Sequence, residues 1–248
     1  MQNVTASPVV PRPAATVMLV RPAPVGFAVY MIRRSTKSRF MPSVHVFPGG
    51  AVDLEDRSPL AFDRLRGHAE PPGDEFAIAA LRELFEEAGV LLACDERAKP
   101  AALGPAEIAN LRGERAAGAN FTTMLARYDV WLDARELTYY SNWVTPLTEK
   151  IRFDAHFFLA HAPENQIAEA DAVEVHDGEW IAPSEALERA RRGDFAIIFP
   201  TRKHLERLAA FDNIDALFAH ARARSVHAVR PIEGAAGGAF DVEDDDSW

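Results

Sequence analysis

Residues 74–88 constrain this chain most. Wound at 100° per residue, they place Glu83, Glu86 and Glu87 within about a 100° arc and leave Ala77, Ile78, Leu81, Phe85 and Ala88 on the other side. The apolar side needs a sheet or another helix to cover it. The acidic side has a different need. Like charges three and four residues apart destabilise a helix by roughly 0.2–0.5 kcal/mol per pair, so three converging carboxylates call for a bound cation. The segment offers only oxygen donors, which favours a hard ion, magnesium or manganese. A Glu-rich helix met in isolation is more often a solvated face. This one follows Phe47-Pro48-Gly49-Gly50, the end of a β-like run, where missing Cβ atoms let the backbone approach a phosphate or an ion.

The order Arg82-Glu83-Leu84-Phe85-Glu86-Glu87-Ala88-Gly89, with Pro48-Gly49-Gly50 upstream, resembles the signature of the Nudix hydrolases. The resemblance implies metal held by Glu83, Glu86, Glu87 and a loop carbonyl, assigned to Gly50, and a substrate with a nucleoside diphosphate linked to another moiety. Arg82, at the junction of the two helix faces, is expected to orient a glutamate through a charge-assisted hydrogen bond. The general base is sought in Glu174, just before a strand-like segment ending in Trp180-Ile181. With Arg82, Glu83, Glu86 and Glu87 it completes the expected catalytic set.

One departure stands out. The family usually places five residues between the loop glycine and a first acid, with the arginine eight positions beyond that acid. Counted from Gly49 the acid is Glu55, but Asp63 stands where the arginine should be; counted back from Arg82 it is Asp74, preceded by Gly73. Asp74 is therefore assigned as the counterpart and as a helix N-cap, which makes 51–73 an insertion within the signature. Ser58-Pro59 reads there as a helix start, Gly67 as a stop and Pro71-Pro72-Gly73 as a loop end. An interrupted signature of this kind is similar to the coenzyme A and acyl-CoA diphosphatases of peroxisomal type. Arg34-Ser35, Phe40-Met41-Pro42, Trp143-Val144-Thr145-Pro146 and Trp180-Ile181-Ala182-Pro183 point the same way. That branch implies cleavage to adenosine 3′,5′-bisphosphate and (acyl-)4′-phosphopantetheine. The alternatives are ADP-ribose, NADH or another nucleoside diphosphate derivative as substrate, or a binding module of this fold without turnover.

Charge distribution bears on the substrate. The net charge is −10, yet no acid precedes Asp53 while Arg12, Arg21, Arg33, Arg34, Lys37 and Arg39 do, so the first 52 residues carry +6. The overall sign opposes nucleic acid or an anionic membrane as partner; the local sign suits a polyanionic small molecule. Arg33, Arg34 and Arg39, with Gly49 and Gly50, are the expected substrate-binding residues. Phe40, Trp143 and Tyr139 or Tyr140 could stack on adenine or line an acyl-pantetheine channel. A homodimer is left open. Cys94 stands alone, Met1–Pro13 has no charged start followed by an apolar block, and the C-terminus lacks a Ser-Lys-Leu address, so the expected compartment is the cytoplasm.

Strands are expected at Ala14–Val20, Gly26–Arg33, Val44–Phe47, Val90–Ala93, Thr138–Val144, Ala155–His161 and Glu179–Ile181. Helices are expected at Glu107–Arg115, Phe121–Trp131, Pro183–Arg192 and Pro200–Arg222. A mixed sheet covered on two faces follows, an α/β/α sandwich of Nudix type forming one domain over 12–222. A helical insertion at about 104–136 would form a lid or side wall. Residues 1–11 and 225–248 are expected to be flexible.

Overall fold

The computed structural model describes residues 9–36, 41–171, 175–233 and 240–242. Arg39, Phe40 and Glu174 lie outside them.

The centre of the sheet is β1 (Arg12–Pro22), flanked by β2 (Phe27–Arg34), which is antiparallel to it, and β9 (Phe153–His161), which is parallel. Side chains alternate between two cores: Ala15, Val17 and Leu19 enter one, Met18 and Val20 the other. A strand buried on both faces reads as a continuous apolar run, and β1 does so in the sequence. Outside β2 lies β10 (Val175–Ile181); outside β9 lie β8 (Thr138–Val144) and then β11 (Ala228–Val229). Two short strands complete the sheet. β3 (His45–Val46) pairs with β2, and β4 (Gly49–Ala51) pairs with the first half of β1.

Helix α2 (Asp74–Ala88) covers one face, and Ala77, Ile78, Leu81, Leu84, Phe85 and Ala88 are all buried there. The other face is covered by α5 (Pro183–Arg192), α6 (Phe199–Leu208) and α7 (Ile214–Ala223). The fold is the expected mixed α/β sandwich. Against the outer side of α2 stand α3 (Pro105–Ala116) and α4 (Phe121–Arg127). They bury Leu111, Met124 and Leu125 and stack Phe121 on Phe85 at 5.5 Å between ring centres, so the insertion acts as a side wall. The stretch after β4 forms α1 (Pro59–Asp63), capped by the Ser58 hydroxyl, and then β5 (Leu65–Arg66). β5 joins β6 (Ala93–Cys94) and β7 (Trp131–Asp133) in a small second sheet of order β5-β7-β6.

Four expectations change. The helix expected to reach Trp131 stops at Arg127, because Trp131 opens β7 and its ring packs under the guanidinium groups of Arg64 and Arg66 at 4.5 and 4.4 Å. The helix over 200–222 is two, α6 and α7, divided where the Asn213 side chain accepts from Ala216 N and starts a new N-terminus. The strand over 90–93 shrinks to β6; Gln166 satisfies both the N–H and the carbonyl of Leu91. The chain beyond 225 is not wholly a loose tail. β11 pairs with β8 and buries Val229, and β12 (Ile232–Glu233) pairs with β13 (Phe240–Asp241). Among the described residues no helix is long and apolar enough to cross a membrane.

Candidate active site between the glycine strand and helix α2

The glycines are required by close approach. In the register Thr16↔Gly49 and Ala15↔Gly50, a Cβ on Gly49 would stand 2.6 Å from Thr16 Oγ1, and one on Gly50 would collide with the Glu83 carboxylate. The absent side chains let β4 lie between β1 and α2. Gly49 N–H donates to Glu87 Oε2 at 2.8 Å, so the same strand orients a second carboxylate. α2 then ends at Gly89, whose φ of +67° suits glycine and brings its N–H to Phe85 O at 2.9 Å.

Arg82 is buried beneath the acidic face, 1% exposed, and so is Asp56. Its Nε and NH2 donate to the two Asp56 oxygens at 2.8 and 2.9 Å, NH2 also to Ala51 O at 3.0 Å, and NH1 to Glu83 at 2.8 Å and Glu86 at 3.2 Å. Burial alone would lower the Arg82 pKa; its hydrogen bonds to Asp56 and the charges of Glu83, Asp56 and Glu86 more than reverse it. The guanidinium is a fixed cation tying β4, the turn at 55–57 and α2 together.

Asp56 corrects the assignment of Asp74. Asp74 is the first residue of α2, after Gly73 as N-cap, and it turns back to accept from Ala69 N and to pair with His68, both at 2.9 Å. A signal for Asp56 was present: five residues counted from Gly50, the second glycine, lead to it. Asp56, not Asp74, is the acid that meets Arg82.

The three glutamates do not share one environment. Glu83 and Glu87 line a cavity of about 660 Å³, together with Gly49, Gly50 and Ala51. Glu86 does not line it. It accepts from Arg115 Nε of α3 at 2.6 Å, and Arg115 NH2 reaches Glu55 at 2.6 Å; Glu55 also accepts from Asn120 and Phe121 N. Burial pushes the Glu83 pKa up to about 7 against the opposing charge of Arg82, with Glu86 adding to the rise. Burial also raises Glu86, opposed by Arg82 and Arg115.

No three described His, Cys, Asp or Glu side chains are gathered closely enough to hold an ion as they stand. The donor chemistry nevertheless fits a hard divalent cation. Glu83 lies against Gly50 and Glu87 against Gly49, both carboxylates line the cavity, and a cation would offset the burial that raises Glu83 and the charge of Glu86 that adds to it.

The cavity also takes Arg12 and Arg34, Thr16, and an aromatic wall of Trp143, Phe153, Phe157, Phe199 and Phe240. Of the arginines expected to bind substrate, Arg34 lines it, while Arg33 is paired with Asp177 at 2.9 Å and does not. Arg12, which enters by its place at the start of β1, carried no local motif. Trp143 is in the wall; Tyr139 instead bonds to His156 at 2.7 Å, and Tyr140 is in the core.

Known proteins match this architecture. The profile of the NUDT19 Nudix domain matches residues 5–75 and 60–208. The acyl-coenzyme A diphosphatase NUDT19 of Homo sapiens is 30% identical over 254 residues, covering 83% of this chain and 67% of that protein. Nudix hydrolase 7 of Caenorhabditis elegans is 30% identical over 187 residues, covering 75% of this chain but only 57% of its own length. The crystal structure of a NUDIX hydrolase from Alicyclobacillus acidocaldarius superposes with a TM-score of 0.75 at 27% identity, over 84% of this chain and 96% of that one. The interrupted signature, its buried Asp56–Arg82 pair and these matches lead to one statement: the chain belongs to the Nudix hydrolases.

Proposed function

We propose that this protein hydrolyses the diphosphate of CoA or an acyl-CoA, releasing adenosine 3′,5′-bisphosphate and (acyl-)4′-phosphopantetheine. The observation that carries the reading is the composition of one cavity: two carboxylates beside a glycine strand, two arginines, and an aromatic wall. A diphosphate between a phosphorylated nucleotide and an apolar arm matches that order of chemistry. The human relative's name, acyl-coenzyme A diphosphatase, supports the same substrate.

Glu83, Glu87 and the Gly50 carbonyl would hold magnesium or manganese, which when bound screens the phosphate charge and lowers the pKa of a coordinated water. Arg82 fixes Glu83, and Gly49 N–H fixes Glu87, so both carboxylates are oriented before substrate arrives. Glu86, turned to Arg115, belongs to the brace that holds α2 in place. Arg12 and Arg34 meet phosphate oxygens, and Arg34 is the counter-charge to the 3′-phosphate. Glu174, immediately before β10, is proposed to take the proton of the attacking water.

The test is a comparison of kcat/KM with magnesium for CoA, 3′-dephospho-CoA, ADP-ribose and NADH. One charged hydrogen-bonded contact to the 3′-phosphate should favour CoA over its dephospho form by roughly 10- to 150-fold. Arg34→Ala or Arg12→Ala should shrink that preference. Faster hydrolysis of ADP-ribose than of any CoA species would overturn the assignment.

A further inference from the structure

The cavity is long and has two chemically different ends. One row of the sheet runs Ala51, Ala14, Ala155, Trp143, Val229, through β4, β1, β9, β8 and β11. Ala51, Ala14, Ala155 and Trp143 of this row line the cavity; at about 4.8 Å per strand step, β4 and β8 are roughly 14 Å apart. The carboxylates stand at the β4 end. The floor between is made of small side chains, Ala51, Ala14 and Ala155, as a channel for an extended ligand requires. Beyond Trp143 the lining comes from α6 and from the chain after β11: Phe199, Pro231 and Phe240. Phe240, on β13, stands 6.1 Å from Phe199 between ring centres, and Trp143, also in the lining, stands 6.0 Å from Phe199. Phe199 thus links the other two rings, and the three line the part of the cavity away from β4.

We infer that this apolar end receives the acyl-pantetheine arm, and that Phe240 sets the length of acyl chain accepted. The inference rests on the CoA reading and adds a specificity-determining residue to it. The opposite placement, with the adenosine 3′-phosphate among the rings, is disfavoured by charge. The cations of the lining are on β1 and β2, at Arg12 and Arg34, whereas the loop between β8 and β9 contributes an anion, Glu149. Adenine would also leave its nitrogen edge facing carbon, while an alkyl chain loses nothing there. Each methylene buried is worth about a fourfold change in binding, so a ring that blocks or admits a few methylenes moves selectivity by orders of magnitude. Phe240 is half-buried and sits on a two-residue strand held by β12, so the chain after β11, rather than the main sheet, carries the selector.

The test is the kcat/KM series for CoA, acetyl-, octanoyl- and dodecanoyl-CoA in the full chain, in Phe240→Ala and in Phe240→Trp, with product masses determined. Calorimetric binding of the same ligands in EDTA provides a readout independent of turnover. Phe240→Ala should raise the dodecanoyl-to-acetyl ratio at least tenfold, and Phe240→Trp should lower it, in both measurements. Should the alanine variant fold poorly, Phe240→Leu should move the ratio in the same direction by less. A ratio unmoved in both variants, or moved the same way by both, overturns the inference while leaving CoA hydrolysis standing. If the parent protein cleaves ADP-ribose and no member of the CoA series, the functional reading falls and the inference falls with it.

Discussion

Two sides of one helix present the same carboxylate to opposite surroundings. Towards the insertion, Glu86 is held between Arg82 and Arg115, and Arg115 is itself held by Glu55. Towards the glycine strand, Glu83 and Glu87 meet a guanidinium N–H and a backbone amide and then open onto the cavity. Arg82 meets both Glu83 and Glu86, so what separates the two sides is not residue type but the second arginine, Arg115, which meets Glu86 alone of the three glutamates. Arg82, buried between the two, serves both.

The largest effect should come from breaking the brace at its centre. Asp56→Ala leaves a buried guanidinium without its bidentate partner and should cost about 3–5 kcal/mol in denaturant unfolding. An unchanged midpoint would mean that Arg82 does not depend on Asp56. Phe85→Ala, on the apolar side of the same helix, should cost a similar ~3–5 kcal/mol by leaving a cavity beside Phe121. Next come Glu83→Gln and Glu87→Gln, which should keep the fold yet lower kcat at least ~100-fold, about 2.7 kcal/mol of barrier. Near-normal turnover at saturating metal would erase the contrast between the two sides.

A smaller effect is on pH. The folded pKa of Glu83 is raised above its unfolded value, so between about 4.5 and 7 the folded protein binds more protons than the unfolded one. In metal-free protein this contribution is present below the unfolded pKa and is lost as pH rises through the folded one. Glu86, also raised by burial, adds to the loss. Thermal melts in EDTA should show the decline and Glu83→Gln should flatten it; a wild-type profile that rises over this range would contradict the burial of Glu83. Smallest is Arg115→Ala, which releases Glu86 from a partly exposed pair and should cost about 1 kcal/mol, with kcat changed less than tenfold. Loss of activity as deep as in Glu87→Gln would transfer Glu86 from the brace to the chemistry.

Much of this was legible in the sequence because local patterns carried it. The period of residues 74–88 gave both faces of α2, and the apolar runs at 14–20 and 26–33 gave two strands, which the structure buries on both sides. Contacts across the chain were not legible. Arg115 lies 29 residues from Glu86 and Asp56 lies 26 from Arg82; nothing periodic links them, and Asp74 offered a more convenient count. Arg12 and Phe240 reach one cavity from near the two ends of the described chain because β1 and β11 both flank the β8–β9 pair. Trp131 misled for a related reason: its helical-looking neighbourhood was overridden by pairing with β5 and β6.

Manganese titration distinguishes the two sides of α2. The measurement is the dissociation constant of Mn²⁺, followed by electron paramagnetic resonance of the free ion, for the parent protein and for Glu83→Gln, Glu86→Gln and Glu87→Gln. If Glu83 and Glu87 hold the ion, Glu83→Gln and Glu87→Gln weaken binding at least tenfold and Glu86→Gln changes it markedly less. Weakening in Glu86→Gln as large as in the other two, or unaltered affinity in all three, would contradict it.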